Sequence, residues 1–137
     1  MPPTLLSPVV QDTVREYPYR QAQAPSYFSG SFVLDDADNH DFGFPSGGKH
    51  QLTIVVENPG DVTVTVQLYG APNPTADVGN AGVLAIGASW TITDAENRDD
   101  QEYANVEKYP YYIVRLTSSG AAAGSPTCTF WCNLHPG

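Results

Sequence analysis

The stretch HQLTIVVENPGDVTVTVQLYG, residues 50–70, contains two runs of alternating apolar and polar side chains that flank a turn sequence. The apolar positions are Leu52, Ile54 and Val56 in the first run, and Val62, Val64, Val66 and Leu68 in the second. A period of two places such side chains on one face of a β-strand. Between the runs, NPGD puts Pro59 and Gly60 at the central positions of a type II turn. The stretch therefore predicts an antiparallel β-hairpin.

Shorter runs of the same kind occur along the rest of the chain. They are SFVLD (31–35), DFGF (41–44), VLAIG (83–87), SWTIT (89–93), YYIVRLT (111–117) and TCTFWCNLH (127–135). The last two are predicted to form a closing hairpin across SSGAAAGSP (118–126). The polar stretch 94–110 is predicted to be a long loop, or a short helix capped by Thr93 or Asp94. Seven or eight strands at this spacing predict an all-β fold: an antiparallel sandwich, a jelly roll or a small barrel.

The composition limits the classes of function. The chain has 137 residues, enough for one domain with a hydrophobic core, and a formal net charge of −9. Because acidic proteins repel phosphate backbones, we expect no nucleic-acid partner. We expect no membrane association either, since no apolar run approaches the roughly 20 residues of a span and the N-terminus lacks the order of a signal peptide.

The two cysteines lie in the last predicted strand. Cys128, Phe130, Cys132 and Leu134 share one face, and Thr127, Thr129, Trp131, Asn133 and His135 share the other. Four residues of strand span roughly 13 Å, beyond the reach of a disulfide between the two cysteines. Because His135 faces away from both sulfurs, we expect buried, reduced core cysteines. An intermolecular disulfide or a metal site is the alternative.

Residues 1–28 differ from the remainder, and we place the domain boundary there: an extended N-terminal arm at 1–28 and a β-sandwich domain at 29–137. Five of the twelve prolines lie in this stretch, which excludes a long helix or a central strand. It also carries apolar side chains that a solvated tail would not need. We expect the arm to contact a neighbouring subunit through Leu5, Leu6, Val9, Val10, Val14, Tyr17 and Tyr19. A disordered leader, or an edge strand of its own domain, is the alternative.

The sequence contains no recognisable catalytic or cofactor-binding motif, so we expect the protein not to be an enzyme and to have no cofactor. Asp36, Asp38 and Asp41 are weak candidates for a cation site, but their spacing is not that of a calcium loop, and a solvated turn is the preferred interpretation. The aromatic residues Tyr109, Tyr111 and Trp131 are candidate interface residues of the body, because Tyr and Trp are enriched in buried contact surfaces. The alternative is a sugar-stacking platform.

A β-sandwich with an extended Pro-rich arm, few charged residues and a negative balance resembles the capsid decoration (cement) proteins of tailed bacteriophages. The resemblance is one of architecture and composition and carries no diagnostic motif. It implies a virion structural protein, made in the host cytoplasm, that sits on the capsid surface as a homotrimer and stabilises the shell. Its partners would be the major capsid protein and copies of itself. A carbohydrate-binding module, or a tail or fibre recognition module, is the alternative function.

Overall fold

The computed structural model describes residues 2–9, 26–94 and 96–136. Its strands are β1 (Thr4–Leu5), β2 (Ser26–Val33), β3 (Asn39–Pro45), β4 (Gln51–Glu57), β5 (Val64–Ala71), β6 (Leu84–Ile92), β7 (Arg98–Ala104), β8 (Tyr111–Ser118) and β9 (Thr127–His135). One turn of 3-10 helix, Val106–Lys108, lies between β7 and β8. The predicted all-β class is confirmed.

The strands form two sheets that pack face to face. Sheet A has the order β1-β3-β8-β5-β6, and sheet B has the order β2-β9-β4-β7. All pairings are antiparallel except β1 with β3, which is parallel. From β2 onward, the chain changes sheet at every connection except the one between β5 and β6. This is the connectivity of a jelly roll, one of the predicted architectures.

The core lies between the inner faces of the two sheets. Its fully buried side chains include Phe44, Leu52, Ile54, Val56, Val64, Val66, Leu68, Val114, Leu116, Phe130 and Leu134. The apolar residues of the alternating pattern are therefore the ones that point into the core. Cys128 and Cys132 belong to the same core and are free and buried, as predicted. Burial raises the pKa of the Cys128 thiol to about 12 and raises that of Cys132 as well, so both thiols are poor nucleophiles.

The predicted hairpin at residues 50–70 is wrong. Both strands exist, but β4 pairs with β7 and β9 in sheet B, whereas β5 pairs with β6 and β8 in sheet A. The connection at 58–63 crosses from one sheet to the other. Six residues are long enough to cover the roughly 10 Å between packed sheets, and alternation alone does not distinguish a crossing from a turn.

Side-chain contacts hold this crossing in place. The Asn58 Nδ2 donates to the Val62 carbonyl at 2.7 Å and to the Ile92 carbonyl at 3.0 Å, and Asn58 Oδ1 accepts from the Gly60 N–H at 3.0 Å. A Cβ on Gly60 would stand 2.8 Å from both Ala122 and Leu34. Glycine is thus needed here for close packing and not for the positive φ of a type II turn.

The predicted closing hairpin is wrong for the same reason, since β8 belongs to sheet A and β9 to sheet B. The polar stretch was also predicted incorrectly: β7 lies within it and pairs along its whole length with β4. The two strands predicted at 83–93 form one strand, β6, with an irregularity in its pairing opposite Gln67 and a positive φ of 68° at Gly87.

Candidate functional site

The N-terminal residues Pro2–Val9, called here the edge segment, lie across one side of the sandwich. Within it, β1 pairs with β3, and the Leu6 N–H donates to the Gly43 carbonyl at 2.8 Å. Further on, Pro8 bridges to Phe28 of β2, and the Val9 N–H donates to the Tyr27 carbonyl at 2.7 Å. The segment therefore covers the free edges of both sheets on the side where β2 and β3 meet. We call this the closed side.

The side chains of the edge segment divide into two groups. Pro3 is buried, and Leu6 packs against the main core, with its Cδ2 3.0 Å from the place of a Cβ on Gly30. By contrast, Leu5 and Val9 remain 54% and 47% exposed. The described part of the arm thus binds the chain's own body through Leu6 and leaves Leu5 and Val9 accessible. The other predicted arm residues, Val10, Val14, Tyr17 and Tyr19, lie outside the described residues.

The boundary predicted at residues 28 and 29 falls inside a strand. Ser26–Val33 form β2, and Phe28 is a core residue that is 3% exposed and packs against Phe44. Residues 26–28 are thus structurally part of the sandwich. A truncation meant to remove the arm alone has to end before Ser26.

Trp131 lies in the middle of the outer face of sheet B. Its neighbours across the strands are Ser29 on β2 and Val55 on β4, and Val55 is paired in turn with Asp100 on β7. Val55, Arg98, Trp131 and Asn133 line a shallow cleft of about 240 Å³. We call this surface the Trp131 face. It combines a half-buried indole ring with hydroxyl, amide and carboxylate groups.

The structure does not bring the other two predicted aromatic residues to this face. Tyr111 lies on the outer face of sheet A, where it packs against a small second cluster around Ile113. Tyr109 packs against the main core, with its ring over Gly70. The three candidate interface residues of the body thus lie on three separate surfaces and do not form one platform.

The three candidate cation ligands are also divided. Asp36 Oδ1 accepts from the Asp38 backbone N–H at 3.0 Å and lies 3.1 Å from the His40 Nε2, and these two contacts lower the pKa of Asp36. Asp41 points elsewhere and forms a two-pronged ion pair with Arg115, at 2.8 and 2.9 Å. Among the residues that the structure describes, no three His, Cys, Asp or Glu side chains are grouped as metal ligands.

Sequence reasoning missed the side opposite the edge segment, where β6 and β7 are the outermost strands. We call it the open side. The Trp90 Nε1 donates to the Tyr103 hydroxyl at 3.0 Å and links the two strands. Beside this link is a cleft of about 240 Å³ lined by Ala85, Ile86, Ala104, Asn105, Val106, Lys108, Tyr109 and Tyr112. The sequence signal was weak because β7 is polar and reads as a loop.

No helix in the described part of the chain has the length and apolar character of a membrane span.

Similarity to known proteins is limited to structure, since no protein-family model and no curated protein sequence matches the chain.

Several solved structures are similar to this structure. The mitogen derived from Yersinia pseudotuberculosis is 13% identical, with 82% of this chain and 86% of that chain covered and a TM-score of 0.53. CorA, a surface-associated copper-binding protein of Methylomicrobium album BG8, is 11% identical over 79% of this chain and 93% of its own, with a TM-score of 0.52. The Triatoma virus empty capsid is 9% identical over 83% and 87%, with a TM-score of 0.49. At such identities the likeness to the first two concerns the β-sandwich fold alone.

Proposed function

We propose that this chain is a non-catalytic virion protein that decorates the outer surface of a phage capsid and stabilises it by contacts between subunits. Its main partner is the major capsid protein. The jelly-roll connectivity supports the proposal only at the level of the fold, because jelly rolls also form lectins and enzymes. The specific support comes from the edge segment.

The observation that carries the proposal is the exposure of Leu5 and Val9 on a backbone that is already hydrogen-bonded to both sheets. A rigid backbone loses little conformational entropy when a partner covers its side chains. Burying the exposed half of each side chain would contribute about 1 kcal/mol. Contributions of this size, repeated over the many copies of a shell, raise the temperature at which the particle comes apart.

Because the edge segment is docked on its own domain, the proposed contact with the capsid is made by the closed side and not by a free arm. An arm that was free from residue 1 would reach far from its body, but Pro2–Val9 stay on the closed side of their own domain. The closed side itself therefore becomes the surface that meets the capsid. It presents Leu5, Pro8 and Val9 as exposed apolar groups.

The test compares two valines of nearly equal exposure. Val9→Asp places a charge on the edge segment, whereas Val33→Asp places the same charge at the far end of β2, where Val33 is 43% exposed and Val9 is 47% exposed. Each variant is mixed with capsids assembled from the major capsid protein of the same genome, and bound protein and capsid melting temperature are measured. We expect Val9→Asp to lose binding and Val33→Asp to retain it. Wild-type binding by Val9→Asp would overturn the proposal.

The Trp131 face supports a second candidate function, the binding of a glycan. Sugar rings stack their apolar faces on an exposed indole, while their hydroxyl groups bond to the kind of amide, hydroxyl and carboxylate groups found here. Ser29 and Val55 lie on either side of Trp131, and Asp100 lies beyond Val55. Apolar groups for stacking and polar groups for hydrogen bonds therefore lie on one face of sheet B.

A panel of immobilised host-surface glycans tests this second function with the isolated protein. If the Trp131 face binds sugar, Trp131→Ala abolishes the signal and Trp90→Phe, at the open side, leaves it intact. Absence of any glycan signal in the wild-type protein, together with capsid binding, would leave decoration as the function.

A further inference from the structure

The free edges of the two sheets are protected to different degrees. An unpaired edge strand offers a row of backbone N–H and C=O groups to any other strand, and proteins usually protect it with charges, prolines, bulges or a covering segment. On the closed side, Pro2–Val9 cover the edges of β2 and β3. On the open side, β7 carries Arg98, Asp99, Asp100 and Glu102 among its seven residues.

The edge of β6 has almost no such protection. Its nine residues, LAIGASWTI, contain neither a charged residue nor a proline, although the chain as a whole has a net charge of −9. Leu84 is 56% exposed and is the most exposed of the large hydrophobic side chains that the structure describes. Within the described part of the chain, the one protective feature of this edge is the irregularity near Gly87, where the Gln67 Nε2 donates to the Ile86 and Gly87 carbonyls at 3.3 and 3.2 Å.

We propose that the stretch Leu84–Ile86 of β6 pairs with the same stretch of a second copy, in antiparallel register around a twofold axis at Ala85. A second copy is the favoured occupant because the stretch is self-complementary: the apolar residues Leu84 and Ile86 flank Ala85 symmetrically, so each meets the other across a twofold axis. The chain has a net charge of −9, but β6 itself carries no charged residue that would repel a second copy at this edge. The irregularity at Gly87 limits the pairing to this first half of the strand.

The register follows from the side-chain directions. Leu84 and Ile86 are paired with Gly70 and Leu68 of β5 and share one face of β6, whereas Ala85 lies on the other face. With the axis at Ala85, Leu84 of each copy lies opposite Ile86 of the other. Ile86 lines the cleft of about 240 Å³ on the open side. In the dimer, the exposed Leu84 of each copy would therefore be covered by Ile86 of the other copy, next to that cleft.

An isologous contact of this kind closes at two copies. It therefore predicts a dimer where the resemblance to decoration proteins implied a trimer. The contact is small, so we expect it to dissociate in the micromolar range. The inference goes beyond the proposed function and does not rest on it, because it concerns the purified protein without capsids.

Cross-linking tests the register with a matched pair of alanines. In the proposed dimer the thiols introduced by Ala85→Cys face each other at a Cα separation of roughly 5 Å, within the range of a disulfide. Those of Ala88→Cys, three residues further along the exposed strand, would lie roughly 20 Å apart. Mild oxidation should link the first variant and leave the second unlinked. The native cysteines do not interfere because both are buried.

Sedimentation equilibrium tests the surface itself. We expect the wild-type protein to form a dimer, and Leu84→Lys to weaken the dimer at least about tenfold, because it brings like charges together. Val33→Lys, with the same charge change on a similarly exposed residue, should leave the dissociation constant unchanged.

Three results would overturn the inference: a wild-type monomer or trimer throughout the micromolar range, equal weakening by both lysine variants, or equal cross-linking of both cysteine variants. If Leu84→Lys fails to fold, the cross-linking pair decides the matter. Capsid binding is measured separately with Val9→Asp, so failure of the dimer and failure of the decoration function are distinguishable.

Discussion

The closed side and the open side of the sandwich differ in how their unpaired edge strands are protected. On the closed side the chain covers its own sheet edges with Pro2–Val9, and Leu6 joins the main core. On the open side nothing in the described residues covers β6 and β7, and the Trp90–Tyr103 hydrogen bond links them. The edge that is covered by its own chain packs against the core, whereas the uncovered edge remains a surface that offers contacts. We infer that the uncovered side also tolerates small displacements better than the covered side.

Two strand glycines test this difference in tolerance and give the largest expected effect. A Cβ on Gly30, at the closed side, would stand 2.4 Å from the fully buried Phe130 ring, and one on Gly70 would stand 2.5 Å from the Tyr109 ring. Phe130 is fully buried, so its ring has little space to yield, whereas Tyr109 is partly exposed, and we expect its ring to turn outward. We expect Gly30→Ala to lower the free energy of unfolding by about 2 to 3 kcal/mol, and Gly70→Ala by about 1 kcal/mol.

Urea denaturation of both glycine variants measures these values. Equal losses would mean that the two sides are equally rigid, and the comparison between them would fail.

Neighbouring leucines of the edge segment form the second test. Leu6 packs against the core, whereas Leu5 is 54% exposed. Leu6→Ala should lower the free energy of unfolding by about 1 to 2 kcal/mol, because it removes a partly buried side chain that packs against the main core. Leu5→Ala should change it by less than about 0.5 kcal/mol. Thermal unfolding of the two variants checks the order, and a larger effect for Leu5→Ala would contradict the described docking of the segment.

Tyr112, which lines the cleft on the open side, makes a pH-dependent contribution to the stability of the fold. The Tyr112 hydroxyl donates to the Val106 carbonyl, and burial raises the pKa of Tyr112 from 10.0 to about 12. The folded state thus favours the neutral phenol, and this contribution is complete below pH 10 and is lost as the pH rises through 12. Tyr112→Phe should cost about 1 kcal/mol at neutral pH by removing the hydrogen bond, and should flatten the alkaline loss of stability.

Unfolding in urea at neutral pH and at stepwise higher pH measures both effects of Tyr112→Phe. The control is Tyr111→Phe on the outer face of sheet A, which should change the free energy of unfolding at neutral pH by less than about 0.5 kcal/mol. An unchanged alkaline profile in Tyr112→Phe would show that another group causes the loss.

The smallest effect is expected at the link across the open side. Trp90→Phe removes the 3.0 Å hydrogen bond to the Tyr103 hydroxyl. Because the pair is partly solvated, the loss should be about 0.5 kcal/mol. The variant retains Trp131 as its one tryptophan, so fluorescence follows unfolding directly. A loss as large as that of Gly30→Ala would mean that this hydrogen bond holds the open side together far more firmly than we infer.

The sequence predicted the strands far better than their partners. The alternation at Leu52–Val56 and at Val64–Leu68 identified two real strands, yet the inferred hairpin was wrong because each strand belongs to a different sheet. Both arrangements bury the same side chains, so the pattern of apolar residues is equally satisfied by either. The strand β7 was missed because most of its residues are polar: Tyr103 packs against the main core, and the strand is otherwise held by its backbone ladder with β4.

The candidate site was predicted only in part. Trp131 lies on an outer face, as its position in the last strand predicted, but Tyr109 and Tyr111 lie on other surfaces. Which aromatic residues share a surface depends on sheet order, and sheet order depends on contacts between residues far apart in the chain.

The sequence by itself determined the all-β class, the burial of Cys128 and Cys132, and the inward face of most strands, because a period of two is a local property of the backbone. Only the tertiary structure decided the jelly-roll pairing, the docking of Leu6 on its own domain and the exposure of an uncharged edge at β6. These features depend on which distant segments meet across the roughly 10 Å between the two sheets, and no local pattern of side chains records that choice.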